Sequence, residues 1–149
     1  MSIENDIKQK TFKNLYNKVT VNIMFTSGWL TNSYAKILKP YNLTEQQYNV
    51  LEILQKCYPQ VATVNYIIEG MIERMSNASR LVDKLVLKGL VEKVKSKYDL
   101  RSVDVILTEK GITLLDKLSK VIYEHEISTH TLDDNEINIL NALLEKLKQ

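Results

Sequence analysis

A short segment of the chain carries polar side chains of the types that contact nucleic acids. Asn77, Ser79 and Arg80 fall on the side of a predicted helix that is opposite its apolar residues, and Lys84 follows one turn later. Asparagine can pair bidentately with adenine and arginine with guanine, whereas serine reaches bases or phosphates and lysine meets phosphates. These residue types therefore favour contact with double-stranded DNA. A merely solvated helix face is the alternative interpretation.

Two further residues of this segment have predicted roles. Ser76 is expected to be the N-cap of the helix, and the free N–H groups behind it also favour a phosphate at the helix N-terminus. Asp83 would repel DNA if its charge were exposed on the polar side. We therefore predict that Asp83 is a salt-bridge partner on the helix.

Apolar spacing predicts the helix that positions these side chains. An i, i+3, i+4, i+7 stripe is typical of one face of an α-helix, and it is formed here by Ala78, Leu81, Val82 and Leu85. Gly89, after Lys88, stands where a helix ends in a left-handed residue. The helix should therefore end at this glycine.

Two short segments after this helix alternate apolar and charged residues, as half-buried strands do. They are Leu90–Lys95 and Ser102–Leu107, and the polar residues 96–101 between them predict a hairpin tip. The hairpin is basic, with cations at Lys93, Lys95, Lys97 and Arg101. A small polar helix followed by a basic hairpin is the outline of a winged helix, which places the helix in the major groove of DNA and the hairpin, or wing, over the backbone.

The remainder of the chain is predicted to be helical. A first long helix spans Asp6 to Lys39, and Ser27-Gly28 marks where it could kink. The other helices run from a capping box of Thr44 with Gln47 to about Cys57, from Val64 to about Met75, from Thr108 onwards, and from Leu132-Asp133-Asp134 onwards. The predicted fold class is mainly α with a small β-wing. We expect one domain, residues 1–149, with a winged helix-turn-helix core at about 43–110 and dimerisation helices at about 6–38 and 109–149.

Four motifs recur in order along this core. They are Leu43–Leu51 (LTEQQYNVL), Arg80–Val91 (RLVDKLVLKGLV), Asp99–Arg101 (DLR) and Leu107–Gly111 (LTEKG). Their types and spacing are similar to the patterns L-T-x-x-Q-x-x-V-L, R-L-V-D-x-L-x-x-K-G-L-V, D-x-R and L-T-x-K-G. These patterns belong to the MarR family of bacterial transcriptional regulators, which the chain resembles over about residues 43 to 115.

This resemblance implies a homodimer in which the first, fifth and sixth helices interleave across a two-fold axis. Such a dimer pairs naturally with a pseudo-palindromic operator, and the protein is then expected to act as a repressor. The resemblance also implies that Asp99 shapes the wing by pairing with an arginine of its neighbourhood, while Arg101 reaches the minor groove. Packing of the terminal helices within one chain is the alternative to the dimer.

Relatives in the MarR family bind small phenolic or anionic ligands between the dimerisation helices and the winged helix. A similar effector pocket is therefore expected here, and the candidates for its aromatic walls are Trp29, Tyr34, Tyr48 and Tyr66. Ordinary core or boundary positions explain these four residues equally well.

Composition narrows the class of protein. The chain has 149 residues, of which 44% are hydrophobic and 26% charged, as in a single globular domain. Its net charge of +2 means that DNA affinity would depend on local clusters of cations. No run of residues approaches a membrane span. The single cysteine and an N-terminus without a secretory signal predict a cytoplasmic protein.

The sequence argues against an enzyme and against a cofactor. It contains no P-loop, G-x-G-x-x-G or G-x-S-x-G motif. His125 and His130 are five residues apart with no cysteine nearby, so we expect surface residues rather than a metal site. Cys57, at the end of the second helix, is predicted to be structural. The main alternative to DNA binding is a winged helix that binds another protein.

Overall fold

The computed structural model describes residues 2–8, 11–73, 77–96, 103–129 and 131–149. In chain order, its helices are α1 (Ile3–Asp6), α2 (Leu15–Leu38), α3 (Glu45–Cys57), α4 (Val64–Gly70), α5 (Ala78–Leu87), α6 (Glu109–Thr129) and α7 (Asp134–Leu147), and its strands are β1 (Ala62–Thr63), β2 (Val91–Lys95) and β3 (Val103–Leu107). The chain divides into two compact units, residues 1–115 and residues 116–149. The predicted fold class is confirmed. None of the helices in the described ranges is long and apolar enough to cross a membrane.

The first long helix begins later than the sequence predicted. α2 starts at Leu15, and the prediction of a helix from Asp6 was wrong at the described residues 7–8 and 11–14. Lys8 has a positive φ of 54°, which a right-handed helix does not allow. The side chain of Asn14 accepts a hydrogen bond from the N–H of Asn17 at 2.8 Å and so caps a new helix. From there α2 continues to Leu38 without a break at Gly28.

α3 is the centre of the first unit and packs against α2, α4, α5 and β3. The predicted capping box is confirmed, because the Thr44 hydroxyl accepts from the N–H of Gln47 and the Gln47 side chain accepts from the N–H of Thr44, both at 3.2 Å. The predicted end at Cys57 is also confirmed. The residues that α3 buries include Tyr48, Leu51 and Leu54, as the apolar period indicated.

α4 is shorter than predicted. It ends at Gly70, followed by the extended residue Met71, whereas the sequence indicated a helix to about Met75. The N–H of Ile72 donates to the side chain of Asn49 on α3 at 3.0 Å, in place of a bond within its own helix. Gly70 also lies close to α3, since a Cβ at this position would meet Ile53 at 3.1 Å. The prediction was therefore wrong at residues 71–73 because a neighbouring helix supplies the acceptor.

α5 begins one residue later than predicted and ends where predicted. Its N-cap residue is Asn77 rather than Ser76. At the other end Gly89 has a φ of +69°. Its N–H donates to the carbonyl of Val86 at 2.8 Å, and the N–H of Leu90 donates to that of Leu85 at 3.0 Å. This pair of bonds is a Schellman motif, and it turns the chain directly into the wing.

The wing belongs to a three-stranded antiparallel sheet of order β1-β3-β2. β2 and β3 pair from Val91 opposite Leu107 to Lys95 opposite Val103. Both strands begin within one residue of their predicted positions. β1 pairs with β3 through Ala62 opposite Val105 and was not predicted, because two residues are too few for an alternating pattern. β3 is therefore the central strand.

Close contacts join the base of the wing to the start of α6. The N–H of Thr108 donates to the carbonyl of Leu90 at 3.1 Å, and its hydroxyl donates to that of Gly89 at 2.8 Å. The same hydroxyl accepts from the N–H of Gly111 at 3.1 Å, so α6 opens at Thr108 as predicted. A Cβ on Gly111 would lie 2.2 Å from the Leu90 carbonyl oxygen, so this contact requires glycine.

The second unit contains most of α6 and all of α7. The predicted start of α7 is confirmed, because Asp133 and Glu136 form a reciprocal capping box with two bonds of 2.9 Å. On α6, Leu118 and Ile122 of the predicted stripe are buried. α7 has no buried residue, although it carries an apolar stripe as α6 does.

Candidate nucleic-acid interface

α5 presents one apolar and one polar side, as its sequence indicated. Leu81 and Leu85 are buried against the first unit, together with Ala78 and Val82. Ser79 and Arg80 are exposed on the other side, and so is Lys84. The apolar stripe thus fixes the rotation of α5, and that rotation turns the candidate DNA-contacting side chains outward.

Asn77 differs from its expected exposed position. It is half-buried, and its side chain makes no capping hydrogen bond to α5. Its Oδ1 is buried and has no hydrogen-bond partner among the described residues. Because Oδ1 is occluded, the amide nitrogen is the group with which Asn77 could contact a base or phosphate. Ser76 lies outside the described residues.

Lys84 belongs to a group of lysines whose proximity was not predicted from the sequence. It lines a cavity with Lys39 and Lys88 at the end of α5. The ammonium group of Lys88 donates to the carbonyl of Asn42 and, at 2.8 Å, to Oε1 of Gln47. Burial and the nearby charge of Lys84 lower the pKa of Lys88. Lys39, Lys84 and Lys88 therefore form a positive cluster at the C-terminal end of α5.

Asp83 forms a salt bridge, as predicted, but its partner lies on the wing and not on the helix. Nζ of Lys93 on β2 is 2.5 Å from Oδ1 of Asp83. Lys95 is exposed and makes no salt bridge with any described residue. Three other predicted wing residues, Lys97, Asp99 and Arg101, lie outside the described residues.

Asp104 on β3 is a buried carboxylate that the alternating pattern placed with the exposed charges. Its exposed fraction is 5%, and Oδ1 has no hydrogen-bond partner within the described part of the chain. Asp104 lies opposite Thr63 on β1 and Val94 on β2. It is buried because β3 is the central strand, which followed only from the unpredicted β1.

The four candidate aromatic residues differ in their exposure. Tyr48 is buried, Tyr34 is half-buried, and Trp29 and Tyr66 are each 48% exposed. In the described ranges, the cavity beside Lys84 contains none of them, and a second cavity, of about 540 Å³, contains Tyr66. The expected aromatic pocket between the dimerisation helices and the winged helix therefore stays a prediction.

Cys57 and His125 have local partners. The Cys57 thiol donates to the carbonyl of Ile53 at 3.6 Å within α3. A hydrogen bond with this thiol raises the pKa of Tyr66. The ring of His125 lies 3.3 Å from the hydroxyl of Thr129 on the same helix, and His130 is outside the described residues.

Comparison with known proteins shows which family this arrangement belongs to. A family model described as transcriptional regulator SarA/Rot matches residues 32–118, more than half of the chain. MgrA of Staphylococcus aureus, an HTH-type transcriptional regulator, is 28% identical over 148 residues, which are 99% of this chain and 93% of MgrA.

Two solved structures share the fold. A mutant of MarR from E. coli, complexed with operator DNA, has a TM-score of 0.78 at 24% identity and covers 91% of this chain and 99% of its own. BpsR of Bordetella bronchiseptica, whose DNA binding is regulated by 6-hydroxynicotinic acid, has a TM-score of 0.80 at 17% identity, with 93% and 99% covered.

The fold and the exposed polar side of α5 define a winged-helix transcriptional regulator with a DNA-binding core. The matched model extends from α2 through the winged helix to α6. The chain belongs to the SarA/Rot family of transcriptional regulators, and the prediction of a MarR-type winged-helix regulator is confirmed.

Proposed function

We propose that the protein is a homodimeric repressor that binds a pseudo-palindromic operator with α5 in the major groove. The observation that carries this proposal is the rotation of α5, which buries Leu81 and Leu85 and leaves Ser79, Arg80 and Lys84 exposed. Arg80 has the geometry to pair with a guanine, and Ser79 can bond to a base or phosphate. Lys84 neutralises a phosphate in this arrangement.

The wing contributes mainly to affinity for the backbone. Lys95 is exposed and without a salt bridge among the described residues, so it is available to a phosphate. Asn77 adds a base or phosphate contact from the start of α5. The contacts of Ser76, Lys97 and Arg101, and the wing-shaping role of Asp99, belong to the same proposal and rest on the sequence.

The homodimer is supported by apolar faces that remain exposed in each compact unit. On α7 the exposed apolar residues are Ile139, Leu140, Leu143, Leu144 and Leu147, and on α2 they include Leu15, Tyr16, Val19, Met24, Phe25 and Trp29. Contiguous apolar surface of this kind marks a protein interface. A second copy of the chain is the occupant we propose, with α2, α6 and α7 as the dimerisation helices, because a two-fold dimer matches a palindromic operator.

We also propose that a small anionic effector modulates operator binding. The cavity beside Lys84 has a volume of about 670 Å³. Its apolar walls include Ala35, Leu43 and Leu87, and its three cations are Lys39, Lys84 and Lys88. None of the three ammonium groups forms a salt bridge within the described ranges. Glu45 is the one acidic side chain among the described lining residues, so the three lysines leave the cavity with a net positive charge.

The effector proposal has a direct test. Calorimetric titration of the DNA-free protein with 6-hydroxynicotinic acid, the compound that regulates BpsR, should give saturable binding. Lys39→Gln should weaken that binding because one cation of the cavity is removed. Equal binding by the wild type and Lys39→Gln would place the ligand elsewhere.

We infer that the protein is not an enzyme, because its family is one of transcriptional regulators. The alternative function is a winged helix that binds another protein without DNA. A binding assay separates the two functions. At low salt the pure protein should bind duplexes of any sequence, and at physiological salt it should retain only fragments with half-sites about 10 bp apart. No binding to any duplex at low salt would overturn the DNA-binding proposal.

A further inference from the structure

One ion pair links the two elements that the proposed function places on DNA. Asp83 lies on α5 and Lys93 on β2, with 2.5 Å between Oδ1 and Nζ. The side chains of Lys93 and Asp83 are 37% and 56% exposed, so the pair is at the surface. An exposed pair of this kind contributes little to folding stability. Its position is therefore more informative than its strength.

The pair lies between the base-reading side of α5 and the outer part of the wing. Asp83 follows Arg80 by three residues, so their side chains are neighbours on the helix. Lys93 shares one face of β2 with Val91 and Lys95. Val91 is 1% exposed, and Lys93 is the first exposed residue of that face. The ion pair thus bridges α5 and the wing at the edge of their buried contact.

This geometry decides which charges remain available to DNA. Neither Arg80 nor Lys95 has a salt bridge among the described residues, whereas Asp83 and Lys93 neutralise each other. Without Lys93, the carboxylate of Asp83 would have Arg80 within reach. Without Asp83, the ammonium group of Lys93 would be free to bind a phosphate.

Building on the proposed DNA-binding function, we propose that Asp83 and Lys93 form a positioning pair that sets operator discrimination without touching DNA. The pair cancels its own charge and ties the base of the wing to α5. Lys93 is therefore not a phosphate-binding cation, although Lys95 on the same face is one. The difference is measurable, because each phosphate neutralised by a lysine contributes about 0.9 to the slope of log K against log salt.

The experiment measures this slope and the affinity for operator and random duplexes with the full-length protein. Asp83→Asn frees Lys93, so random DNA should bind more tightly and with a slope steeper by about one per protomer. Lys93→Gln leaves Asp83 unpaired beside Arg80. The affinity of Lys93→Gln should fall for both duplexes. The loss should be larger for the operator, because Asp83 draws Arg80 away from the base that Arg80 contacts.

The double variant, Asp83→Asn with Lys93→Gln, gives the decisive result. It removes no net charge, so the slope and the affinity on random DNA should equal those of the wild type. Its operator affinity should stay lower by up to about fivefold per protomer, because the tie between α5 and the wing is lost. Exchanging the charges, Asp83→Lys with Lys93→Glu, should restore discrimination between operator and random DNA.

Lys95→Gln is the matched control for the loss of a phosphate-binding cation from the same face, and its slope should fall by about one per protomer. If the double variant shows this same lowered slope, Lys93 is an ordinary phosphate contact and the positioning role is wrong while DNA binding stands. An unchanged salt slope for Asp83→Asn would also refute the positioning role. Failure of the wild type to bind any duplex would instead overturn the proposed function.

Discussion

Gly111→Ala should destabilise the winged helix because it separates α6 from the base of the wing. The added Cβ would lie 2.2 Å from the carbonyl oxygen of Leu90 and 3.2 Å from Cδ2 of Leu107. Relieving the first contact requires the two backbone segments to move apart by about 1 Å. Backbone shifts forced by overpacking cost about 1–3 kcal/mol of stability. The shift also weakens the bonds from Thr108 to Leu90 and Gly89, at about 1 kcal/mol each.

Alanine is the better helix former by about 1 kcal/mol, which offsets part of this cost. We therefore expect a net loss of about 3 kcal/mol in the free energy of unfolding, measured by urea denaturation at one fixed protein concentration. Thr113→Ala, at an exposed position of the same helix, is the control and should change stability by less than about 0.5 kcal/mol.

Gly89→Ala should fall between these two variants. A Cβ there meets only Nζ of Lys110 at 3.9 Å, so the cost is that of a left-handed φ, about 1–2 kcal/mol. If Gly111→Ala were as stable as Thr113→Ala, the close approach of α6 to Leu90 would be refuted. A loss for Gly111→Ala no larger than that for Gly89→Ala would mean that the backbone around Leu90 yields to the added Cβ more easily than the contact indicates.

Three further predictions concern the dimer and the wing. Removing Asp133–Gln149 should abolish both the dimer and operator binding, because the exposed apolar stripe of α7 is lost; a dimer of the truncated chain in sedimentation would contradict this. Arg101→Ala should weaken operator binding and flatten its salt dependence by about one to two counterions per dimer, and an unchanged slope would exclude a DNA contact. Asp99→Ala should also weaken binding, because ordering a disordered wing costs more than the removal of one screened charge gains; tighter binding would show that Asp99 does not shape the wing.

The sequence predicted the elements whose signals are local. The position and rotation of α5 follow from its apolar stripe and from Gly89, the start of α3 follows from its capping box, and the start of α7 follows from Leu132-Asp133-Asp134. Each of these signals is complete within a few residues. The exposed polar residues of α5 could be named for the same reason.

The late start of α2 has a local cause in the Asn14 cap, but other errors arose where a distant residue decides the structure. α4 ends early because Asn49 of α3 accepts the N–H of Ile72, and no pattern within α4 contains that information. The burial of Asp104 depends on β1, which is too short for its period to be recognised. The partner of Asp83 could not be named because Lys93 becomes its neighbour only when β2 folds beside α5.

Binding of Arg80→Ala to operator and to random DNA tests the central claim, that the exposed side of α5 reads bases, most directly. The affinity for the operator should fall by about 1–3 kcal/mol and that for random DNA much less, because a base contact is lost. Lys95→Ala is the reference for a phosphate contact and should weaken both duplexes equally. Equal losses on the two duplexes for Arg80→Ala, or no loss on either, would contradict the claim.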